Sequence, residues 1–264
     1  MARKRYLFFD IDGTLTEEGY GNMAVPASAR LALEKLRAAG HFLCIATGRS
    51  QAMAYDYMRE LGFDNMVSDG GNGLTIEGAF LGVEPLDHDA CVALVRECDE
   101  LGFPWALQPD NSCVRSAPDE RFTQASRDVY MGAQVVPGLD PAACETIYKV
   151  YIACEEPNER QLKTLSTLPW ARFHKSYFFV EPTDKARGIR QVMDHFHAPY
   201  ADAVVFGDAS NDLSMFVDDW TKVAMGNAVP ELKARADYVT THVSDNGIYN
   251  ACEALGLFEP VTQE

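Results

Sequence analysis

Asp10 and Asp12 stand two apart directly after the apolar run Tyr6-Leu7-Phe8-Phe9, and the chain then passes at once into Gly13-Thr14. In extended chain, residues i and i+2 share a side, which would set their Cα atoms roughly 7 Å apart. Two unit charges at about 7 Å repel by roughly 2 kcal/mol at an effective dielectric near 20. Asp208, at the end of another apolar stretch, "AVVFGD", adds to the conflict if it joins them. A divalent cation resolves it, and an all-oxygen donor set favours Mg²⁺ over zinc. A carboxylate not consumed as a ligand can attack phosphorus and form an aspartyl phosphate. Two acids in series then have separate work. Asp10 attacks in line. Asp12 protonates the departing alkoxide and later takes a proton from water.

Other residues suit a phosphate. Thr47 falls at a strand-to-helix junction, where a hydroxyl and main-chain N–H groups can hold an anion. Lys185 opens a predicted helix and supplies a point charge for phosphate or for the neighbouring carboxylate. Gly13 lets the chain turn sharply, and Thr14 is expected to hydrogen-bond back into its own loop.

These residues must be carried by strand ends. Residues 6–9 read as a short strand buried on both faces, as in parallel sheets. Residues 26–39 form a helix bounded by Pro26 and Gly40. Strand 42–46, helix 50–61 and a strand in "NMVSDGG" follow, the alternation of βαβ units and a doubly wound α/β sheet. The pattern changes near residue 82. Helices at about 87–101, 119–130 and 157–166 and strands in "PWALQP", "SCVRS", "IYKVYIAC", "ARFHK" and "YFFVEP" pair locally, which predicts an inserted α+β unit. From 184 the first pattern resumes with helices at 184–197, 211–217 and 230–236, strands 203–208, "KVAMG" and "DYVTT", and a last helix in "NGIYNACEALG". The expected organisation is a core of 1–82 and 182–264 interrupted by a domain at 83–181. Ligands of open α/β sheets bind at the carboxyl ends of the strands, where Asp10, Asp12, Thr47 and Asp208 all fall.

The net charge of −16 over 264 residues argues against nucleic acid and anionic membrane as partners, both polyanions. Apolar residues make up 47% and charged residues 23%, an ordinary globular balance. The seven cysteines, at 44, 91, 98, 113, 144, 154 and 252, include no C-x-x-C pair, so reduced thiols and a cytoplasmic location are expected. The basic start "MARKR" precedes too short an apolar run for a signal peptide. No run reaches membrane-spanning length.

Taken together, "DIDGTLT" (10–16), "ATGR" (46–49), Lys185 and "GDASND" (207–212) resemble the four signature motifs of the haloacid dehalogenase superfamily, most closely its Cof-like phosphatases. "GGNGLTI" (70–76), "AMGNA" (224–228) and "ADYVTTHVSDNGIYNACEAL" (236–255) are similar to further stretches of that group, and the insert between the second and third motifs is similar to its α/β cap. The resemblance covers essentially the whole chain. It implies a Rossmann-like core with an α/β cap, and a Mg²⁺-dependent phosphomonoester hydrolase acting on a small phosphorylated metabolite, sugar phosphates above all. It implies Asp10 as nucleophile and Asp12 as general acid/base. The metal would be held by Asp10, Asp208 and the main-chain carbonyl of Asp12. Phosphate would be held by Thr47, Gly48 of the same motif and Lys185 with Asn211 assisting, and Asp212 would order the metal's surroundings. Ala209 and Ala186 depart from commoner glycines without removing a reactive group. A sugar-phosphate mutase of the phosphomannomutase kind, a phosphoryl-accepting signalling receiver and a non-catalytic metal scaffold remain open alternatives. Oligomeric state is not legible.

Several residues have plainer readings. Arg49 is a salt-bridge residue outside the catalytic set. Asp69, Asp218 and Asp219 read as solvated or capping acids. His195 and His197, two apart on a helix, do not share a face. Trp105, Trp170, Phe173 and Tyr177 read as core of the inserted unit. "GGNG" lacks the dinucleotide fingerprint and the Lys-Ser/Thr of a P-loop.

Overall fold

The four apolar residues that precede Asp10 form β1 (Tyr6–Phe9), and all four are buried. Tyr6 and Phe8 point into one apolar layer, Leu7 and Phe9 into the other. A strand covered on both faces has no polar side to show, which is why the sequence does not alternate. Each such side chain contributes about 1.5–3 kcal/mol on burial.

The computed structural model describes residues 3–17, 24–128, 131–172 and 174–261. After β1 come α1 (Ala27–Ala39), β2 (Phe42–Ala46), α2 (Gln51–Glu60), β3 (Met66–Ser68), β4 (Gly73–Ile76) and β5 (Ala79–Val83). The inserted segment carries α3 (His88–Leu101), β6 (Trp105–Gln108), β7 (Val114–Ala117), α4 (Arg121–Ser126), β8 (Gly132–Val135), β9 (Lys149–Ile152), β10 (Trp170–Ala171) and β11 (Phe178–Val180). The chain then gives α5 (Lys185–His195), β12 (Ala203–Gly207), β13 (Thr221–Ala224), α6 (Pro230–Arg235), β14 (Tyr238–Val239) and α7 (Gly247–Ala254).

The chain divides into two compact units. One comprises Met1–Arg49, Ala54–Gly82 and Asp184–Glu264, the other Ser50–Met53 and Val83–Thr183. The first unit holds an eight-stranded sheet of order β14-β13-β12-β1-β2-β3-β4-β5. The pairings from β14 to β3 are parallel, and β4 turns back antiparallel on β3. Leu33 and Leu36 of α1 and Ile248 and Ala251 of α7 fill one layer. Ile189, Val192 and Met193 of α5 fill the other. This is a doubly wound α/β core, with an antiparallel hairpin at one edge that the sequence does not mark off.

The second unit holds a six-stranded sheet of order β10-β11-β9-β6-β7-β8. Leu94, Val95 and Cys98 of α3 pack with Leu107, Val150 and Phe178 from one side of it. Three expectations are corrected here. The helix read at 157–166 is two 3₁₀ turns, Asn158–Gln161 and Thr164–Thr167, separated by the extended Leu162. The helix read to residue 130 is α4 alone, closed at Arg127 in the left-handed region, with residues 129 and 130 outside the described residues. Trp170 is exposed, not core. Trp105 and Tyr177 are buried as read, and Phe173 lies outside the described residues.

Candidate active site

The end of β1 is held in register one residue past the strand, because the Asp10 N–H donates to the Phe206 carbonyl at 3.1 Å. That bond keeps the Asp10 carboxylate inside the protein, 3% exposed, beside the end of β12. Asp208 follows β12 and is equally buried. The chain after it is a 3₁₀ turn, Ser210–Met215, and not the α-helix the sequence suggests. The cause is Asp212, whose Oδ2 accepts from the N–H groups of Asp208 at 2.9 Å and Ala209 at 3.0 Å. A side chain that takes these donors tightens the turn and fixes where Asp208 points.

Lys185 is the first residue of α5, whose N-cap Asp184 accepts from the Arg187 N–H at 3.1 Å. The lysine is 1% exposed and donates to Asp10 Oδ1 and Asp212 Oδ1, each at 2.6 Å. Its own N–H donates to the Ser214 hydroxyl at 3.1 Å. Carboxylate oxygens of Asp10, Asp208 and Asp212 lie within 4.8 Å of one another. One ammonium among three carboxylates leaves two negative charges uncompensated. Burial, then the neighbouring acids, pushes the Asp10 carboxyl up to about 7 despite Lys185. Burial, Asp10 and Asp212 push Asp208 up to about 8. Burial alone would lower the Lys185 ammonium, but Asp10 and Asp212 outweigh it and hold it above its ordinary value. Burial is the first cause for the two carboxyls and the neighbouring negative charge the second, whereas for Lys185 the carboxylates overcome burial.

Gly13 has a left-handed φ of 80°. A Cβ built there would lie 2.2 Å from Asp208 Oδ2, so only glycine lets the loop lie against that carboxylate. Thr14 bonds back into its own loop through its main chain, N–H to the Ile11 carbonyl at 3.3 Å, while its side chain reaches further. Its hydroxyl donates to Asp208 Oδ1 at 2.7 Å, a link across 194 residues of sequence.

The Asp12 carboxylate is engaged by another cation. Arg49 grips it with both arms, Nε to Oδ2 at 2.8 Å and Nη2 to Oδ1 at 2.6 Å. The guanidinium also lies over the Tyr57 ring, 4.8 Å from its centroid. Arg49 is thus the ion-pair residue the sequence suggests, and its partner is the candidate acid/base. Asp12 and Asp10 therefore follow one another in sequence but serve different cations. Thr47, after β2, is 1% exposed, and its hydroxyl accepts from the Arg49 N–H at 3.1 Å. A Cβ on Gly48 would lie 3.6 Å from Asn211 Nδ2, which places these two side by side. Asn211 Oδ1 is buried with no partner among the described residues. Asp69 is 2% exposed and accepts from the Ser68 hydroxyl at 2.9 Å, against its reading as solvated. Asp218 and Asp219 are exposed partners of Lys222 and Arg190.

A divalent cation fits this arrangement. The donors are all oxygen, the three acids when ionised outnumber the Lys185 ammonium by two charges, and an orphaned carbonyl oxygen lies in the same turn. Sequence reasoning passed over Asn227, which bonds the Gly13 carbonyl. Its only sequence signal is its place in "AMGNA".

The chain belongs to the haloacid dehalogenase-like hydrolase family, whose sequence profile matches residues 7–252. It is 30% identical over 259 residues to the Bacillus subtilis protein named "Putative phosphatase YkrA", across 97% of this chain and 99% of that one. A crystal structure of a hypothetical protein from Geobacillus kaustophilus superposes with a TM-score of 0.83 at 30% identity, covering 96% of this chain and 99% of the other. The subclass IIB sugar phosphatase BT4131 superposes with a TM-score of 0.78 at 25% identity, covering 96% of this chain and all of the other (100%). Fold, motifs and relatives define a phosphatase of the Cof type in this family. No helix among the described residues is long and apolar enough to cross a membrane.

Proposed function

We propose that the protein is a Mg²⁺-dependent hydrolase of small phosphomonoesters, sugar phosphates above all, working through an aspartyl phosphate on Asp10. The observation that carries this reading is the buried Asp10 carboxylate held on one oxygen by Lys185 within a triad of acids. Lys185 fixes Oδ1 and leaves Oδ2 to attack phosphorus. The P–O bond to the leaving group breaks, and Asp12 gives that oxygen a proton. Asp12 then takes a proton from the water that attacks the phosphorus of the aspartyl phosphate, which frees inorganic phosphate and restores Asp10. The bidentate grip of Arg49 orients the ionised Asp12 carboxylate, and one of its two bonds opens when Asp12 carries the proton.

Thr47, the Gly48 backbone, Asn211 and Lys185 would bind the phosphoryl oxygens. Asp10, Asp208 and the main-chain carbonyl of Asp12 would hold Mg²⁺, with Asp212 and Thr14 fixing Asp208. The bound ion would neutralise phosphoryl charge and act as a Lewis acid. The segment 83–181 would serve as the cap that selects the leaving group. The name of BT4131 as a sugar phosphatase supports the substrate class, and seven cysteines with no C-x-x-C pair support a reducing cytoplasm.

A screen of phosphorylated metabolites with free phosphate as the readout tests this proposal. Asp10→Asn is expected to abolish hydrolysis of an aryl phosphate while Mg²⁺ still binds, more weakly. Wild-type turnover in that variant would refute the nucleophile. An isomerised sugar phosphate in place of free phosphate would assign a mutase.

A further inference from the structure

Asn227 lies in the turn between β13 and α6, outside the acid triad. Both ends of its amide are used. Nδ2 donates to the Gly13 carbonyl at 2.8 Å, and Oδ1 accepts from the Val243 N–H at 3.0 Å. The orientation is fixed by chemistry, since a reversed amide would set acceptor against acceptor and donor against donor. The Gly13 peptide is the one that lies against the Asp208 carboxylate. The same turn also holds the chain of Asp208, through Met225 N–H to Gly207 carbonyl at 3.0 Å and Val229 N–H to Asp208 carbonyl at 2.8 Å. The turn itself is anchored by Lys233, whose ammonium donates to the Gly226 carbonyl at 2.6 Å.

One short segment therefore grips two others, the loop that carries Asp12, Gly13 and Thr14 and the strand end that carries Asp208. The link to the second is main-chain and does not depend on side-chain identity. Among the described residues, the hydrogen bond to the first comes from one side chain. We infer that Asn227 is a positioning residue that sets the distance of the Asp12–Thr14 loop from Asp208, and through it the affinity of the site for a divalent cation. This rests on the cation reading proposed above.

The test compares wild type, Asn227→Leu and Lys233→Met, with Mg²⁺ titrated into metal-free protein by calorimetry and thermal midpoints measured in parallel. Partners that orient ligands from behind change metal affinity by about 10–100-fold when removed. Asn227→Leu, of similar size, is expected to raise the Mg²⁺ dissociation constant by at least about 10-fold. Lys233→Met loosens the same turn without touching Gly13 and is expected to lower the midpoint and leave the constant unchanged. Should Asn227→Leu fail to fold, Asn227→Ser, which reaches neither partner but admits water, is measured with the same expected direction. An unchanged constant in the Asn227 variant beside Mg²⁺-binding wild type would overturn this inference alone. Equal weakening in the Lys233 and Asn227 variants would assign a general structural role and overturn it as well. Wild type that binds no Mg²⁺ would overturn the cation reading and this inference with it.

Discussion

Lys185 sits where a side chain can least be spared. It is buried, and it is the ammonium shared by Asp10 and Asp212. Removing one partner from a buried ion pair is destabilising by about 3–5 kcal/mol, because the other charge stays behind without compensation. Lys185→Met is expected to lower stability by about that amount in urea unfolding of metal-free protein. A loss under about 1 kcal/mol would mean that the triad relaxes into water, as exposed pairs do. Arg49 shows the limit of single-residue reading. Its place two after Thr47 is plain in the sequence, but its grip on Asp12, 37 positions away, exists only once β1 and β2 lie side by side.

At the scale of elements, α5 approaches β3 so closely that glycine is needed at its second turn. A Cβ at Gly188 would come 2.4 Å from Val67 Cγ1 and 3.2 Å from the Gly71 Cα. Overpacking of this kind costs about 1–3 kcal/mol. Gly188→Ala is expected to lose that much stability by thermal or urea unfolding, and to weaken activity because Lys185 rides on the same helix. Retained stability would show that α5 slides without resistance. The buried strands of the first unit were legible because residues covered on both faces must be apolar throughout, as in Tyr6–Phe9 and Ala203–Gly207. The β4–β5 hairpin was not, because β5 exposes Phe80 and Leu81 and offers no clear period. The exposed β8 escaped notice for the same reason. The turn at 210–215 read as a helix because propensity does not register that Asp212 takes the backbone donors before it. Of the candidate site, the acids and Lys185 were legible by type and motif, whereas the pairings Thr14–Asp208 and Asn227–Gly13 span 194 and 214 residues and depend on the assembled sheet.

At the scale of the whole molecule, His41 ties the first residues to the last. Its Nδ1 accepts from the Arg5 N–H at 3.0 Å, and its Nε2 lies 2.9 Å from the Leu257 carbonyl. The neutral ring with its proton on Nε2 satisfies both. Burial, with Arg5 and Lys4 adding to it, holds its pKa below the usual value despite the Leu257 carbonyl. The unfolded chain therefore takes up a proton near pH 6.5, while the folded chain resists it. Stability from this residue is present above about pH 6.5 and is lost as the pH falls below it. Asp10 and Asp208 act the other way, since their raised carboxyls favour the protonated folded form as the pH falls. The histidine is isolated by comparing unfolding of wild type and His41→Gln at pH 7.5 and about 5.5. The gap between them is expected to shrink at the lower pH, and a constant gap would remove His41 from the linkage.

The central strand of the first sheet, β1, begins at residue 6, but one of its two neighbours, β12, begins only at residue 203. Domains tend to fold from the amino end as they emerge. Asp10 must therefore leave the ribosome well before Lys185 and Asp212, and in that interval its strand has β2 but not β12 to pair with. The candidate site can close only after the inserted segment has been made, because Lys185, Asp208 and Asp212 all follow it in sequence.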